Sequence, residues 1–427
     1  MKSLFHICVY PLVLSFLLCC HLPVLAQDTL QYVVAGRANS PAQQKKPYVI
    51  LISADGFRYD LAMRYQAKNL LRLSNSGVEA TSMQPSFPSL TFPNHYSIVT
   101  GMYPSHHGIV DNRFYDKKKG RNYTMSNKKE VQDGRWYGGT PLWVLAEQQK
   151  MVSSSFYWVG SESDILGVRP TYYFNYNEII PIERRLQILK EWLHLPEEKR
   201  PHLITFYFPE VDHLEHSTGV YSKETEAMVH FLDDAVGKMN EIALESKLPI
   251  NFIFLSDHGF TNVDTVNTIS LPPIDTSKFT MSYGSSIVQL NAKNVKDILP
   301  AFHAIKKVQK NYKAYLVTDV PAKWHYGFLD DYHRRIGDIF LVADMPFMFY
   351  VRGRKSIGQH GYDNTKQEMQ ATFYAWGPAF KKNFKINNFE NVNVYPLVAQ
   401  VLGLQYDEKT IGHTIDGKLQ VLLSILK

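Results

Sequence analysis

Three continuous apolar runs, each followed by acidic or imidazole residues, constrain the fold of this chain more than any other feature. The runs extend from Tyr48 to Ile52, from Leu203 to Phe208 and from Ile250 to Leu255. A run that is apolar on both faces is typical of a buried strand in a mainly parallel sheet. In open α/β sheets, ligands bind outside the carboxyl ends of the strands. The runs therefore predict an α/β fold whose site gathers the residues that follow each strand.

Helical patterns separate these runs, as an α/β fold requires. Apolar residues recur at spacings of three and four in residues 222–247, and again in residues 181–196. The segment VNVYPLVAQVLG predicts a helix closed by Gly403, and MQATFYAWGPAF predicts the last buried strand.

Residues 261 to about 350 predict a small α+β cap inserted in the larger domain. Within this segment, strands are expected near residues 282–290 and 339–343, and a helix near residues 295–308.

The first 26 residues are organised as a secretory signal peptide, with one lysine, an apolar run and small residues up to Ala26. The alternatives are an uncleaved anchor, which Pro11 and the short apolar run disfavour, and a lipoprotein, which Leu18 before Cys19 disfavours. We therefore expect an exported chain, periplasmic or secreted, without a stable membrane anchor.

All three cysteines lie in this leader, so the exported chain must be stabilised by core burial rather than by disulfides. Its apolar content of 45% is sufficient for that. The formal charge of +6 is small for this length, and no basic block is interleaved with aromatic residues. A nucleic-acid polymer is therefore not expected as a dedicated partner.

Acidic and imidazole residues, most of them just past the predicted strands, form a candidate metal-ligand set. Asp212 and His216 are four apart and would face one ion from a single helical turn. Carboxylates and imidazoles without a thiolate suit zinc. We expect a two-metal centre with two Zn²⁺ ions, and its candidate ligands are Asp55, Asp212, His216, Asp257, His258 and His360.

The remaining histidines that we considered are expected to be structural or solvated, or are assigned no role. His213, His106 and His107 belong to the first group, and His325 and His333 to the second.

Thr91, in SLTFPNHY, has two compatible interpretations. Its hydroxyl precedes Phe92 and Pro93, which predicts a helix N-cap, and Gly101 closes the segment. A helix N-terminus also attracts anions, and beside a metal ion a threonine alkoxide becomes accessible near neutral pH. Thr91 is therefore a candidate nucleophile.

These segments resemble the nucleotide pyrophosphatase/phosphodiesterases of the alkaline phosphatase superfamily. The resemblance rests on LISADGFRYD, SLTFPNHYSIVTGMYPSHHGIVDN, WYGGTPLW, YFPEVDHLEHSTG, LSDHGF and HGYDNTKQEMQATFYAWGPAF, in that order along the chain. It implies an alkaline phosphatase-like, mostly parallel central sheet flanked by helices, and one phosphodiesterase domain over residues 27–427. It also implies a two-zinc enzyme that hydrolyses nucleotide phosphodiester and pyrophosphate bonds and releases nucleoside 5′-monophosphates.

The resemblance further implies roles for individual residues. Thr91 attacks phosphorus to form a covalent phosphothreonine ester, which water then cleaves. Asn112 binds a non-bridging phosphate oxygen, and Phe92 and Tyr176 hold the base. One zinc is held by Asp55, Thr91, Asp257 and His258, and the other by Asp212, His216 and His360.

The chain departs from the usual family residues at three positions. Glu215 replaces a glycine, where it would either add negative charge or point to solvent. Val220 and Val159 each replace a proline, the latter at the wall of the base pocket.

Other functions on the same scaffold were weighed. A phosphomonoesterase would use serine and clamp the phosphate with arginine, whereas no arginine follows Thr91 before Arg113. A sulfatase would need a modifiable cysteine or serine in place of the threonine. A phosphodiesterase for lysophospholipids or glycerophosphodiesters would keep the metal chemistry and change only the pocket. A non-catalytic binding protein would tolerate the loss of ligands, and none is missing.

Overall fold

A nine-stranded sheet forms the centre of the computed structural model, which describes residues 29–350 and 355–427. The predicted signal peptide lies outside the described residues. In chain order the strands are β1 Tyr32–Val33, β2 Tyr48–Ala54, β3 Val78–Ala80, β4 Met83–Gln84, β5 Arg113–Asp116, β6 Arg121–Thr124, β7 Ser153–Phe156, β8 Tyr172–Phe174, β9 Leu203–Phe208, β10 Ile250–Leu255, β11 Thr261–Asn262, β12 Phe279–Tyr283, β13 Ile287–Ala292, β14 Tyr312–Leu316, β15 Ile339–Ala343, β16 Gly358–Gln359, β17 Phe373–Trp376, β18 Phe384–Ile386 and β19 Phe389–Glu390.

The central sheet has the order β1-β8-β7-β9-β2-β10-β17-β3-β18. Strands β8, β7, β9, β2 and β10 pair in parallel, whereas β17 is antiparallel to both of its neighbours and β1 is antiparallel to β8. The predicted α/β fold with a mostly parallel sheet is therefore confirmed.

Helices cover both faces of this sheet. The α-helices are α1 Leu61–Arg64, α2 Lys68–Asn75, α3 Thr91–Thr100, α4 Pro104–His107, α5 Lys128–Val131, α6 Leu142–Gln148, α7 Ile182–Leu193, α8 Glu210–Thr218, α9 Lys223–Ser246, α10 Ile298–Lys307, α11 Val394–Leu402 and α12 Glu408–Ile411. Short 3-10 helices span Gln43–Lys45, Gly134–Trp136, Val295–Asp297, Ala322–Trp324, Gln367–Met369, Asn391–Asn393, Leu419–Val421 and Leu423–Ile425.

Strand β2 shows why its sequence is continuously apolar. Val49 and Leu51 pack into one hydrophobic cluster, with residues of α3, α6 and α11. Ile50 and Ile52 point to the opposite face and pack into a second cluster, with residues of α7 and α9. Every residue of β2 is buried, because side chains alternate between two covered faces.

A second, four-stranded antiparallel sheet has the order β12-β13-β15-β14 and packs against α10. The single strand predicted near residues 282–290 is wrong, because the chain turns at residues 284–286 and forms the β12–β13 hairpin. The last buried strand predicted in residues 369–380 is confirmed as β17, and the short strands β18 and β19 that follow it are only partly buried. The predicted helix before Gly403 is confirmed as α11.

Among the described residues, no helix combines the length and the apolar character needed to cross a bilayer.

Candidate metal centre and active site

Three adjacent strands of the central sheet bring the candidate ligands to one edge. Asp55 follows β2 directly, Asp257 and His258 follow β10, and α8, which begins just after β9, carries Asp212 and His216. Because β9, β2 and β10 are parallel neighbours, their carboxyl ends meet at the same place.

The last candidate, His360, follows β16, which pairs with β11 just beyond β10. Its Nε2 lies 3.6 Å from Asp212 Oδ1, and His216 Nε2 lies 3.5 Å from Asp212 Oδ2. The structure thus brings all six residues together.

Within this set, ligand atoms cluster closely enough to share a metal ion. In each of three groups, one atom from every member lies within 4.8 Å of the others. Two groups share Asp55 and two share Asp212, so the positions that they define are adjacent. The groups are Asp212, His216 and His360; Asp55, Asp212 and His258; and Asp55, His95 and Asp257.

The carboxylates are arranged as ligands rather than as hydrogen-bonded structural groups. Asp55 Oδ1 and Asp212 Oδ1 are buried and accept no hydrogen bond from the described residues. Burial raises the pKa of Asp55 well above its usual range, and the nearby Asp257 and Asp212 carboxylates raise it further. A divalent cation between these groups would relieve the repulsion and favour the ionised ligands.

Asp257 is stabilised in its ionised form by two imidazoles. Its Oδ2 lies 3.0 Å from His258 Nε2 and 3.3 Å from His95 Nδ1. Burial opposes ionisation, but the two histidines outweigh it and hold the pKa of Asp257 well below its usual range.

The three candidate imidazole ligands are all oriented by backbone carbonyls. The Nδ1–H groups of His216, His258 and His360 are positioned to donate to Gly358 O, Gly259 O and Ser89 O, at 3.2, 3.1 and 3.0 Å. With a metal ion bound, each Nε2 would then be free to offer its lone pair to the ion. A metal-ligating histidine is typically oriented in this way, so the residues present fit a metal centre.

Thr91 lies at this centre, but not as a helix cap. Helix α3 begins at Thr91, its N-cap is Leu90, and no side-chain capping bond is made, so the predicted N-cap is wrong by one residue. The Thr91 hydroxyl instead lies 3.3 Å from His258 Nε2. The hydroxyl is therefore directed to the metal site and stays close to the N-terminal end of α3.

A cavity of about 620 Å³ opens beside Thr91, which is within the size range of small-molecule sites. Phe92, Asn112 and Tyr176 all line it, and so does the exposed Arg113. Residues 283–287 of the β12–β13 hairpin also line it, a contribution that the sequence analysis missed.

The side-chain amide of Asn112 is hydrogen-bonded through its oxygen. Its Oδ1 accepts a hydrogen bond of 2.9 Å from the Phe92 N–H in the first turn of α3. The amide orientation is thereby set, and the Nδ2 donors of Asn112 remain available to a ligand in the cavity.

Two further residues of the site were missed from the sequence. His95 is fully buried beside Asp257, its Nδ1–H can donate to Thr91 O at 2.9 Å, and its Nε2 lies 2.8 Å from Ser53 Oγ. Tyr207 donates a 2.6 Å hydrogen bond from its hydroxyl to Asp55 Oδ2. The spacing of His95, four residues after Thr91 on a predicted helix, is the signal that could have found it.

The sequence model of the family described as type I phosphodiesterase / nucleotide pyrophosphatase matches residues 49–363, most of the chain. The chain belongs to this family. Over 423 residues it is 32% identical to ectonucleotide pyrophosphatase/phosphodiesterase family member 3 of Rattus norvegicus, covering 93% of this chain and 47% of that protein.

A second relative shows a similar degree of identity. Venom phosphodiesterase 2 of Crotalus adamanteus is 33% identical over 387 residues, which cover 87% of this chain and 47% of that protein. The chain therefore spans about half the length of these curated relatives.

Solved structures of murine ectonucleotide pyrophosphatase/phosphodiesterase 5 are also similar. One has 28% identity and a TM-score of 0.81, covering 89% of this chain and 100% of that chain. Another, an inactive threonine-to-alanine variant in complex with AMP, has 27% identity and a TM-score of 0.82, covering 90% of this chain and 100% of that chain. Together these neighbours support the alkaline phosphatase-like fold.

The family departure at Glu215 has a structural outcome. Glu215 is fully buried and both of its carboxylate oxygens lack a hydrogen-bond partner among the described residues, so the expectation that it points to solvent is wrong. Burial and the nearby Asp212 raise its pKa well above the usual range. Burial and the neighbouring Asp212 carboxylate therefore disfavour the charged form of Glu215.

At the other departures and the remaining histidines, the structure shows individual contacts. Val159 is buried and lines the cavity, and Val220 is buried in the core. Three of the histidines are located as follows: His107 is buried with Nε2 3.0 Å from Ser97 Oγ, His106 pairs with Asp416, and His213 lines the cavity.

Proposed function

We propose that this chain is a two-zinc phosphodiesterase that hydrolyses nucleotide phosphodiester and pyrophosphate bonds and releases nucleoside 5′-monophosphates. One observation carries the proposal: Thr91 lines the cavity with its hydroxyl 3.3 Å from His258 Nε2, and His258 belongs to one of the groups of residues that could hold a metal ion. The relatives named as nucleotide pyrophosphatases and the neighbour bound to AMP support a nucleotide substrate.

The donor set suits zinc, with imidazole and carboxylate ligands and no thiolate. We assign Asp55, Thr91, Asp257 and His258 to one ion and Asp212, His216 and His360 to the other. Bound zinc would supply Lewis-acid stabilisation of the negative charge that develops on oxygen.

In the proposed reaction, Thr91 Oγ1 forms a bond to phosphorus and the leaving group departs from the opposite side. Water then cleaves the phosphothreonine ester and regenerates the hydroxyl. The Asn112 Nδ2 group donates to a non-bridging phosphate oxygen, because its Oδ1 is already held by the Phe92 N–H. A neutral donor suits a diester, which carries one charge fewer than a monoester.

Phe92 and Tyr176 are proposed to hold the base between their rings. Both line the cavity, and Tyr176 packs against Tyr157 with ring centroids 5.4 Å apart. Aromatic walls of this kind bind planar bases through stacking, with little dependence on base identity.

The substrate class is tested with nitrophenyl esters. The zinc-loaded enzyme should hydrolyse the nitrophenyl ester of a nucleotide far faster than nitrophenyl phosphate, and ATP or a dinucleotide faster than lysophosphatidylcholine. Hydrolysis of nitrophenyl phosphate at an equal or higher rate would favour a phosphomonoesterase. Faster hydrolysis of lysophosphatidylcholine than of the nucleotides would favour a phosphodiesterase for lysophospholipids.

We also propose that residues 1–26 direct export and that the enzyme acts in the periplasm or outside the cell. Mass measurement of the exported protein should find a chain that begins at Gln27. A retained leader would contradict cleavage at this position.

A further inference from the structure

Glu178 and His213 both line the cavity and contact each other, and neither has a part in the proposed chemistry. The Tyr176 hydroxyl donates a 2.6 Å hydrogen bond to Glu178 Oε1, and His213 Nδ1 lies 3.1 Å from Glu178 Oε2. All three residues line the cavity. We propose that the Glu178 carboxylate, held by His213, is a subsite for the ribose hydroxyls of the substrate, an inference that rests on the proposed nucleotide phosphodiesterase function.

The position of the pair matches the pentose of a bound nucleotide. Tyr176 belongs to the base end, and His213 directly follows Asp212 on α8 at the metal end. In a 5′-nucleotide, the pentose lies between the base and the phosphorus atom. The Glu178 carboxylate contacts Tyr176 on one side and His213 of α8 on the other, so we place it beside the pentose.

The backbone that carries Glu178 is held in place on both sides. The Tyr157 hydroxyl donates to Asn177 O, and the buried Arg185 donates from Nε to Ile180 O at 2.8 Å. The loop thus presents Glu178 from a supported backbone, which lowers the ordering cost of binding.

The Glu178 carboxylate has the capacity to bind hydroxyl groups. A carboxylate oxygen can accept two hydrogen bonds, and each oxygen of Glu178 accepts one from the neighbouring side chains. The side chains of Glu178 and His213 are 45% and 48% exposed, so a ligand can reach them. Vicinal 2′ and 3′ hydroxyls would donate to the two remaining positions, which gives this subsite a preference for ribonucleotides.

The test uses three nitrophenyl 5′-phosphate esters that share a thymine base and carry ribose, 2′-deoxyribose or 2′,3′-dideoxyribose. The wild-type enzyme should show a kcat/KM about three- to tenfold higher for the ribose ester than for the 2′-deoxyribose ester, and a further drop for the dideoxy ester, since each missing hydroxyl removes about one net hydrogen bond. In Glu178→Ala both ratios should fall to about one, because the carboxylate that accepts from the 2′ and 3′ hydroxyls is removed, although Tyr176 and His213 also lose a hydrogen-bond partner.

Tyr176→Phe is the matched control, since it removes the hydrogen bond to Glu178 and keeps the aromatic ring. It should preserve the ribose preference. The inference is overturned if the wild type shows no preference, if Glu178→Ala slows all three esters equally, or if Tyr176→Phe reproduces the effect of Glu178→Ala, because Glu178 would then only orient Tyr176.

Failure of the proposed function gives a different result. In that case the wild type would hydrolyse none of the three esters, although thermal unfolding shows a folded protein. Turnover of all three without discrimination would remove the ribose subsite alone.

Discussion

At the scale of single residues, the centre depends on groups that orient its ligands. The imidazoles of His216, His258 and His360 are directed by backbone carbonyls, whereas Asp55 is held by the Tyr207 hydroxyl. Most of the candidate ligands were predictable because they lie just past apolar strands, whereas His360 follows the short strand β16. Tyr207 was not predictable, because its contribution is a hydrogen bond to Asp55, which lies far from it in sequence. His95 was missed, although it lies four residues after Thr91, one turn further along α3.

Tyr207→Phe tests whether the Tyr207 hydroxyl orients the Asp55 carboxylate. The change removes one hydrogen bond to Asp55 Oδ2 and keeps the ring, so zinc affinity should fall about tenfold, as expected for loss of a group that supports a metal ligand. The measurement is activity against free zinc after chelation, where excess zinc should restore turnover. Tyr157→Phe is the control, since it removes a cavity hydroxyl that contacts Asn177 O rather than a ligand; equal loss in both variants would argue against the role of Tyr207.

At the scale of elements, apolar periodicity predicted those strands and helices whose buried side chains are apolar. The runs at β2, β9 and β10 and the patterns at α7 and α9 coincide with those elements. Strand β7 was missed because its sequence is SSSF. Two of its buried serines form hydrogen bonds, Ser153 with Glu147 and Ser155 with Thr205, and an apolar pattern does not indicate such a strand.

The turn after β2 also depends on a residue type that apolar periodicity does not detect. Gly56 has φ of +69° and its N–H lies 3.2 Å from Asp257 Oδ1, to which it donates. A Cβ at this position would lie 3.1 Å from Asp212 Cβ and 3.2 Å from Asp212 Cα. Close approach of Asp212 to this turn therefore requires glycine.

Gly56→Ala should destabilise the protein through two effects, the strain of a side chain at positive φ and the close contact of the new Cβ with Asp212. Gly36 also has a positive φ, of +78°, but a Cβ there meets no atom within 4 Å. Gly36→Ala should lose about 1 kcal/mol, the usual strain of a side chain in this backbone region, and Gly56→Ala should lose more and bind zinc less tightly. Denaturant unfolding and zinc titration measure the two quantities, and equal stability losses with unchanged zinc affinity would refute the packing argument.

His333 links the segment between β14 and β15 to helix α4, with Nε2 3.1 Å from His106 O. Burial, with a smaller effect of Arg335, lowers its pKa to about 4. The folded state therefore disfavours protonation of His333, and the stabilisation present above the unfolded pKa is lost as the pH falls toward about 4.

His333→Gln should remove this part of the acid lability. Between about pH 7 and about pH 4, the wild type should lose about 2 kcal/mol more unfolding free energy than the variant. Chemical denaturation at the two pH values measures the difference. The same pH dependence in both proteins would show that His333 titrates normally in the folded chain.

At the scale of the whole molecule, the site is assembled from residues that lie far apart in sequence. Asp55 and His360 are the first and the last of the candidate ligands along the chain. Parallel strand order accounts for the convergence of Asp55, Asp212 and Asp257, and this was predictable from topology. The hairpin of residues 283–287 that lines the cavity was not predictable, because no local pattern relates it to the central sheet.

The central claim is that Thr91 forms a covalent bond to phosphorus during turnover. Rapid acid quench of the zinc-loaded enzyme with a nucleotide substrate, followed by peptide mass mapping, tests it most directly. We expect a nucleotidyl group on the Thr91 peptide, with no adduct and no turnover in Thr91→Ala, which should still bind two zinc ions. Steady turnover by Thr91→Ala, or an adduct on a different residue, would contradict it.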